Sequence, residues 1–221
     1  MPAAGGADIL FDGWWANIAW TFNLRQYYFQ RNGVEIAPQS GECVIDAGAC
    51  FGDTALAFAD SVGESGHVHA FEVLPANLEI AEHNLKLNSR LAGRVTLNRT
   101  ALGRGAGSLF LHGTGPGAYV SERVSAQPAE MVSIDGYVEK SQLGQIDFIK
   151  MDIEGSELDA LEGARETLKK FRPKLAISIY HRPTDLIEIP LWVDRLDLGY
   201  RCYIDHYTIH YEESVLYAIA D

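Results

Sequence analysis

Four side chains that can exchange protons or bind a metal ion each follow a predicted strand. They are Asp152, Glu154, His181 and His206. Ligands of open α/β sheets bind beyond the carboxyl ends of the strands, so we expect these four side chains to lie at one edge. A histidine titrates near neutrality, and we therefore predict His181 as a general base for a hydroxyl group, with His206 as its substitute.

The same four residues allow a second chemistry. Carboxylate oxygens and imidazole nitrogens are ligands for divalent ions, and a bound ion could polarise the hydroxyl instead. Asp152 and Glu154 stand at alternate positions, so they point the same way only if strand geometry continues to residue 154. A base and a metal ion both remain open at this stage.

A glycine-rich turn, Gly48-Ala-Cys-Phe-Gly52, joins a predicted strand to a helix that starts at Asp53. Such a turn presents backbone N–H groups and the positive end of a helix to an anionic ligand. Dinucleotide-binding loops read G-x-G-x-x-G, whereas this one reads G-x-x-x-G with Cys50 at the middle position. The spacing suits a ligand with a single carboxylate and favours S-adenosylmethionine over NAD. Cys50 could be a nucleophile beside the helix start, but no partner histidine is near in sequence, and we favour a small loop residue against the cofactor.

Acidic and hydroxyl side chains surround this turn. Glu72 ends the second predicted strand, and we expect it to accept the hydroxyls of a ribose, with a surface charge as the alternative. Asp46 ends the first strand and would either bind the methionine ammonium or orient the turn. Asp53 and Thr54 would bond the ligand or cap the helix, and we expect Thr54 near the methionine carboxylate.

Strands and helices alternate along the rest of the chain. Seven apolar runs are predicted strands, over residues 42–46, 67–72, 94–98, 146–151, 174–179, 200–204 and 214–219. Helical patterns between most of them predict βαβ units and a parallel sheet with helices on both faces. The last two runs have no helix between them and must be antiparallel. We predict an α/β, Rossmann-like methyltransferase fold with a mostly parallel seven-stranded sheet whose last strand is antiparallel.

Two segments stand outside this alternation. Residues 8–31 carry aromatic side chains near helical spacing, which predicts a covering helix and divides the chain into a helical cover, 1–41, and a methyltransferase domain, 42–221. Residues 103–118 contain six glycines and predict a hairpin or flap, either a solvent loop or a closing lid. Residues 131–134 are expected to pair with it.

Four blocks of the sequence resemble the FkbM-family methyltransferases. The blocks are 44–54, 70–77, 149–157 and 215–218, and the resemblance runs from residue 42 to residue 219. The most specific is Lys150-Met-Asp-Ile-Glu-Gly-Ser-Glu157, because the general methyltransferase fold does not require it. The resemblance implies methyl transfer from S-adenosylmethionine, usually to a hydroxyl of a natural product, a sugar or a related acceptor such as a lipid-linked one. Cys50 departs from the polar residue that often stands in such loops.

These arguments define a set of predicted functional residues. For the cofactor they are Asp46, Gly48, Phe51, Gly52, Asp53, Thr54, Glu72, Val73, Asn77, Ala101 and Asp152. Two other functions stay open: an NAD-dependent oxidoreductase, which the turn and Glu72 would also suit, and a non-catalytic interaction domain with the same fold.

Composition limits which binding partners and which cellular compartment are expected. The chain has 18 Lys and Arg against 30 Asp and Glu, a net charge of −12, which argues against nucleic acid and for a small-molecule acceptor. Cys43, Cys50 and Cys202 lack the spacing of a disulfide framework or a zinc site, as expected in a reducing compartment. No apolar run reaches the roughly 18 residues of a membrane span, and the first residues lack a basic signal-peptide start. We expect a soluble, cytoplasmic protein, with a homodimer left open.

Overall fold

The computed structural model describes residues 8–112, 119–121, 128–210 and 212–221. The strands are β1 (Phe29–Arg31), β2 (Val34–Ile36), β3 (Cys43–Ala47), β4 (His67–Phe71), β5 (Val95–Asn98), β6 (Ala101–Leu102), β7 (Gly107–His112), β8 (Tyr119–Ser121), β9 (Pro128–Val132), β10 (Phe148–Met151), β11 (Lys174–Ser178), β12 (Tyr200–His206) and β13 (Ser214–Ala220). The helices are α1 (Trp15–Asn17), α2 (Asp53–Val62), α3 (Pro75–Leu87), α4 (Ser89–Ala92), α5 (Ile134–Lys140), α6 (Glu157–Glu162), α7 (Arg165–Phe171) and α8 (Asp185–Asp194), and a π-helical segment, Ile18–Asn23, follows α1. Among the described residues, no helix has the length and apolar character to cross a membrane.

Seven of these strands form one central sheet, in the spatial order β12-β13-β11-β10-β3-β4-β5. β13 is antiparallel to both of its neighbours, β11 and β12, and the other neighbouring strands pair in parallel. The carboxyl ends of six strands and the start of β13 therefore share one edge, which we call the carboxyl edge. The predicted fold class, including the reversed last strand, is confirmed.

Helices cover both faces of the central sheet. Successive side chains of each strand point to opposite faces, so each strand packs against helices on both. Ile45 of β3 packs in a cluster with Leu161 of α6 and Ile189 of α8. Its neighbour Val44 points to the opposite face, where it clusters with Phe58 of α2. Burial on two faces explains why the strands read as nearly continuous apolar runs.

The N-terminal segment corrects the prediction of one helix over residues 8–31. Helical structure covers only residues 15–23, and β1 and β2 follow as an antiparallel hairpin. Asn32 and Gly33 form its two-residue turn with φ values of 50° and 78°, which is the Asn-Gly turn that matches the twist of a hairpin. Trp15, part of the expected apolar stripe, is 77% exposed. The stripe is therefore not one buried helix face.

The glycine-rich segment contributes to a second sheet, in the order β6-β9-β7-β8. β7 is antiparallel to β8 and to β9, and Gly107 pairs with Met131. The predicted hairpin and its pairing with the chain near residue 131 are confirmed. Residues 113–118, which hold three of the six glycines, lie outside the described residues. The closing lid therefore stays a prediction.

Candidate functional site

The glycine-rich turn between β3 and α2 is fixed by its backbone. Gly48 has a φ of 80°, and a Cβ atom there would lie 1.9 Å from the carbonyl oxygen of Asp152. The N–H groups of Gly48 and Ala49 donate to the carbonyl oxygen of Phe71 at 3.0 and 2.9 Å. Gly52 also has a φ of 80°. Position 48 thus requires glycine, because the neighbouring strand end occupies the space of a side chain.

A buried ion pair supports the same turn. The Nζ atom of Lys150 lies 3.2 Å from Oδ1 of Asp46 and donates to the carbonyl oxygens of residues 47 and 48 at 3.1 and 2.6 Å. Burial lowers the pKa of Lys150, but Asp46 and two nearby aspartates outweigh it and raise the pKa above its ordinary value. The ammonium therefore stays charged. Sequence reasoning missed Lys150, although a lysine inside an apolar strand signals a buried partner.

Asp46 also bonds to a residue at the start of α2. Asp46 is fully buried, and its Oδ2 accepts a hydrogen bond from Oγ1 of Thr54 at 2.7 Å. Asp46 therefore orients the turn, which was one of its two predicted roles. The hydroxyl of Thr54 is thus bonded to Asp46, and its predicted place near the methionine carboxylate stays a prediction.

Glu72 closes the other side of the turn at the end of β4. Its Oε1 accepts the N–H groups of Val73 and Leu74 at 2.6 and 2.8 Å, and its Oε2 accepts from Nδ2 of Asn77 at 3.3 Å. Burial raises the pKa of Glu72, although these hydrogen bonds oppose it. A carboxylate oxygen can accept more than one hydrogen bond, so Oε2 can still take a ligand hydroxyl.

A histidine lies among carboxylates where β10 and β11 end. Nε2 of His181 is 3.2 Å from Oδ1 of Asp152 and 3.9 Å from Oε2 of Glu154, while Nδ1 is 2.8 Å from Oε1 of Glu157. Burial lowers the pKa of His181, but its contacts with Asp152 and Glu157 overcome this and raise the pKa to about 11. His181 is therefore an imidazolium at neutral pH, and its side chain is only 7% exposed.

Two tyrosines complete the surroundings of Asp152. The hydroxyl of Tyr27 donates to Oδ2 at 2.8 Å, and that of Tyr180 donates to Oδ1 at 3.2 Å. Burial raises the pKa of Asp152, but His181 and other neighbours outweigh it and bring the pKa below its usual range. Burial and the charge of Asp152 raise the pKa of both tyrosines, so they stay protonated donors. Nothing in the sequence indicated that Tyr27, in the N-terminal segment, would reach Asp152.

Glu154 differs from Asp152 in having no hydrogen bond to its carboxylate from any described residue. Its φ of 55° lies in the left-handed region, which is uncommon for a residue other than glycine. Strand geometry thus ends before residue 154, and the two carboxylates reach His181 by a turn rather than by alternation. Burial raises the pKa of Glu154 to about 7, with Asp152 adding to the effect and His181 opposing it.

The metal alternative can be tested against this geometry. Asp152, Glu157 and His181 each offer a ligand atom, and these atoms lie within 4.8 Å of one another. However, Glu157 faces Nδ1 of the ring, whereas Asp152 faces Nε2. A histidine binds a metal ion through one nitrogen while the other contacts an outer carboxylate or carbonyl. The contacts therefore fit an imidazolium between carboxylates better than one ion held by all three residues.

A single cavity of ≈ 230 Å³ at the carboxyl edge joins the turn to the acidic cluster. Eight of the predicted cofactor residues line it, namely Gly48, Asp53, Thr54, Glu72, Val73, Asn77, Ala101 and Asp152. Asp46, Phe51 and Gly52, which are buried, are not part of the lining. The cavity also includes Glu154 but not His181.

The N-terminal segment covers this cavity. Asn17 donates to Oδ1 of Asp53 at 3.1 Å, and the hydroxyl of Thr21 donates to Oδ2. Burial raises the pKa of Asp53 to about 6, and the hydrogen bond from Thr21 opposes it. The ring of Trp14 packs edge-on against Phe51, with 5.5 Å between centroids. Asp53 therefore joins the cover to the turn.

The remaining candidates are His206, which lies outside the cavity lining, and Cys50, which is part of it. His206 is exposed at the end of β12, its Nδ1 lies 2.9 Å from Oγ of Ser214, and it is not part of the cavity lining. Burial and the charges of Asp53 and Glu72 raise the pKa of Cys50, so its thiol stays protonated. The expectation that Cys50 is not a nucleophile agrees with this environment.

Solved structures that share this fold include methyltransferases. A methyltransferase FkbM from Methylobacillus flagellatus is 26% identical, with a TM-score of 0.68, over 87% of this chain and 47% of that one. This chain thus spans about half the length of that protein. A fibrillarin from Aeropyrum pernix with natively bound S-adenosylmethionine has a TM-score of 0.52 at 13% identity, over 87% of this chain and 81% of that one. A precorrin methyltransferase from Geobacter metallireducens has a TM-score of 0.52 at 14% identity, over 84% and 83%.

The sequence also matches a described family. No curated protein sequence matches the chain. Residues 46–202, however, match the family described as methyltransferase FkbM domain. That range contains the glycine-rich turn, Glu72 and the acidic cluster, and the match confirms the predicted resemblance. The chain belongs to the FkbM methyltransferase family.

Proposed function

We propose that this chain is an S-adenosylmethionine-dependent methyltransferase that acts on a hydroxyl group of a small molecule. The observation that carries the proposal is the cavity at the carboxyl edge, which holds the glycine turn and Glu72 at one side and Glu154 at the other. The residues proposed for the cofactor and a carboxylate without a hydrogen bond from a described residue thus line one cavity. Family membership and fold support methyl transfer over the oxidoreductase and over a non-catalytic domain.

The residues present fit this cofactor. The carboxylate of Glu72 has hydrogen-bonding capacity toward the cavity for ribose hydroxyls, and Gly48 of the turn lines the same cavity. Bound S-adenosylmethionine would supply a methyl group on a sulfonium, whose carbon–sulfur bond breaks as the acceptor oxygen bonds to the methyl carbon, leaving S-adenosylhomocysteine. The chain must then position the hydroxyl and remove its proton.

We assign the removal of that proton to Glu154 in place of His181. His181 is protonated at neutral pH, lies outside the cavity lining and has carboxylates at both ring nitrogens, so it has no free lone pair to accept a proton. Glu154 lines the cavity with a pKa of about 7, close to the value that suits a general base at neutral pH. His181 is then a positioning residue that holds Asp152 and Glu154 in place.

Cofactor choice is tested by thermal unfolding with S-adenosylhomocysteine and with NAD. A ligand that binds only the folded state at 100 times its Kd stabilises by about 2.7 kcal/mol. At about 2–4 °C per kcal/mol for a chain of this size, S-adenosylhomocysteine should raise Tm by roughly 5–11 °C. NAD should leave Tm unchanged. Stabilisation by NAD alone would show that the cofactor assignment is wrong.

The role of Glu154 is tested by Glu154→Gln, with Glu166→Gln on the exposed surface of α7 as the matched control. Loss of a general base lowers the rate by about 10²–10⁴-fold. Glu154→Gln should lose that much methyl transfer while binding S-adenosylhomocysteine normally, and Glu166→Gln should keep full activity. In the unsubstituted protein the rate should rise with pH through about 7, because the carboxylate must be ionised. A rise that begins only near pH 11 would return the role to His181.

A further inference from the structure

A further carboxylate lines the cavity, and it belongs to the residue that precedes β13. Glu213 is 7% exposed and lines the cavity beside Tyr180. Its Oε2 accepts a hydrogen bond from Nε2 of Gln26, which is itself buried. No described residue donates to its other oxygen, Oε1. Glu213 thus has one oxygen anchored and one open to the cavity.

The anchoring of Glu213 is firm. The carbonyl oxygen of Gln26 accepts a hydrogen bond from the hydroxyl of Tyr217 in β13, and Tyr217 also contacts the hydroxyl of Tyr207 at 2.7 Å. The N–H of Tyr207 donates to the carbonyl oxygen of Glu213 at 3.1 Å. Each group that holds Glu213 is therefore itself held, and the open oxygen has a fixed position.

The described part of the cavity has no free cation to offset this charge. Lys150 is the one basic residue among its lining, and its ammonium is already taken by Asp46 and two carbonyl oxygens. His181 lies behind Asp152 and outside the lining. Glu154 and Glu213 therefore each have a carboxylate oxygen that accepts no hydrogen bond from a described residue, and both lie on the side of the cavity away from Glu72. Burying a carboxylate such as that of Glu213 is costly unless a ligand pairs with it.

We propose, on the basis of the proposed function, that the acceptor carries a protonated amine near the hydroxyl that is methylated, and that Glu213 binds this amine. Burial and the charge of Asp152 raise the pKa of Glu213 to about 7, with Gln26 and His181 opposing them, which is the cost that an ammonium would relieve. Anionic acceptors, such as sugar phosphates and carboxylates, meet only like charge in this part of the cavity. The acceptor class is hydroxylated amines.

The test is binding of matched sugars to the protein saturated with S-adenosylhomocysteine, measured by calorimetry. The probes are glucosamine and galactosamine, their N-acetyl derivatives, and glucose 6-phosphate. Each amine should bind at least about tenfold more tightly than its N-acetyl partner, equivalent to 1.4 kcal/mol, and the phosphate should not bind. Glu213→Gln keeps the size of the side chain and should remove the preference for the amine. Glu212→Gln, an exposed neighbour in the same connection, should retain it.

The outcomes separate this inference from the proposed function. Equal binding within both pairs, binding of neither amine, or a preference that survives in Glu213→Gln would each overturn the amine assignment. Normal stabilisation by S-adenosylhomocysteine in the same sample would leave the methyltransferase proposal standing. Loss of that stabilisation in the unsubstituted protein would instead remove the proposed function, and the inference with it.

Discussion

Replacing Lys150 by Met removes a buried charge while keeping much of the volume of the side chain. The side chains of Lys150 and Asp46 are 1% and 0% exposed, so the substitution leaves an aspartate without its cation in the core. Removing one partner of a buried pair costs about 3–5 kcal/mol. At about 2–4 °C per kcal/mol, Tm should fall by roughly 6–20 °C.

A double-mutant cycle isolates the pair from other effects of the substitution. The free energy of unfolding would be measured in urea for Lys150→Met, Asp46→Asn and the double variant, with Lys169→Met on the surface of α7 as the control. The double variant should be less destabilised than the sum of the single variants, with a coupling of about 0.5–3 kcal/mol, because it leaves no lone charge. Additive losses, or a Lys150→Met variant as stable as Lys169→Met, would refute the reasoning.

Two further substitutions probe the turn and the histidine. Gly48→Ala puts a Cβ atom 1.9 Å from the carbonyl of Asp152 in a left-handed backbone that alone costs alanine about 1–2 kcal/mol, so calorimetry should show S-adenosylhomocysteine binding lost or weakened by roughly tenfold or more. Gly144→Ala, whose Cβ would meet nothing within 4 Å, should bind normally. The pKa of His181 is raised from 6.5 to about 11, so its contribution to stability is complete below pH 6.5 and is lost as pH rises through about 11. Unfolding free energies from pH 7 to 9.5 should fall more steeply for the unsubstituted protein than for His181→Gln, and parallel curves would contradict this assignment.

The fold was readable because its signals are local and repeat along the chain. Apolar runs separated by helical patterns predict a parallel sheet, and two final runs without a helix predict a reversed strand. The N-terminal segment was not readable in the same way, since its aromatic spacing suggested a helix while Asn32-Gly33 encoded a hairpin turn. Trp15 shows why aromatic spacing misleads, because the sequence does not distinguish an exposed aromatic residue from a buried one.

The same distinction applies to the site: residues placed by local spacing could be predicted, and residues placed by tertiary contacts could not. Gly48 and Glu72 follow from spacing relative to a strand, and both line the cavity. The proposal of Glu154 as the base in place of His181 did not follow from residue type, because the pKa of His181 depends on carboxylates that only the folded chain brings to both ring nitrogens. Tyr27 and Glu213 come from opposite ends of the sequence, and only the tertiary structure reveals that they share a cavity.

The reversed direction of β13 has a consequence for how acceptor preference can change in evolution. Since this strand starts at the carboxyl edge, Glu213, the residue before it, lines the cavity. Exchanges at this position can therefore reshape one side of the cavity while β3, β4 and the turn after β3 keep their positions. Under the proposed function, acceptor preference can thus change beside β13 and leave the proposed methyl-donor site untouched.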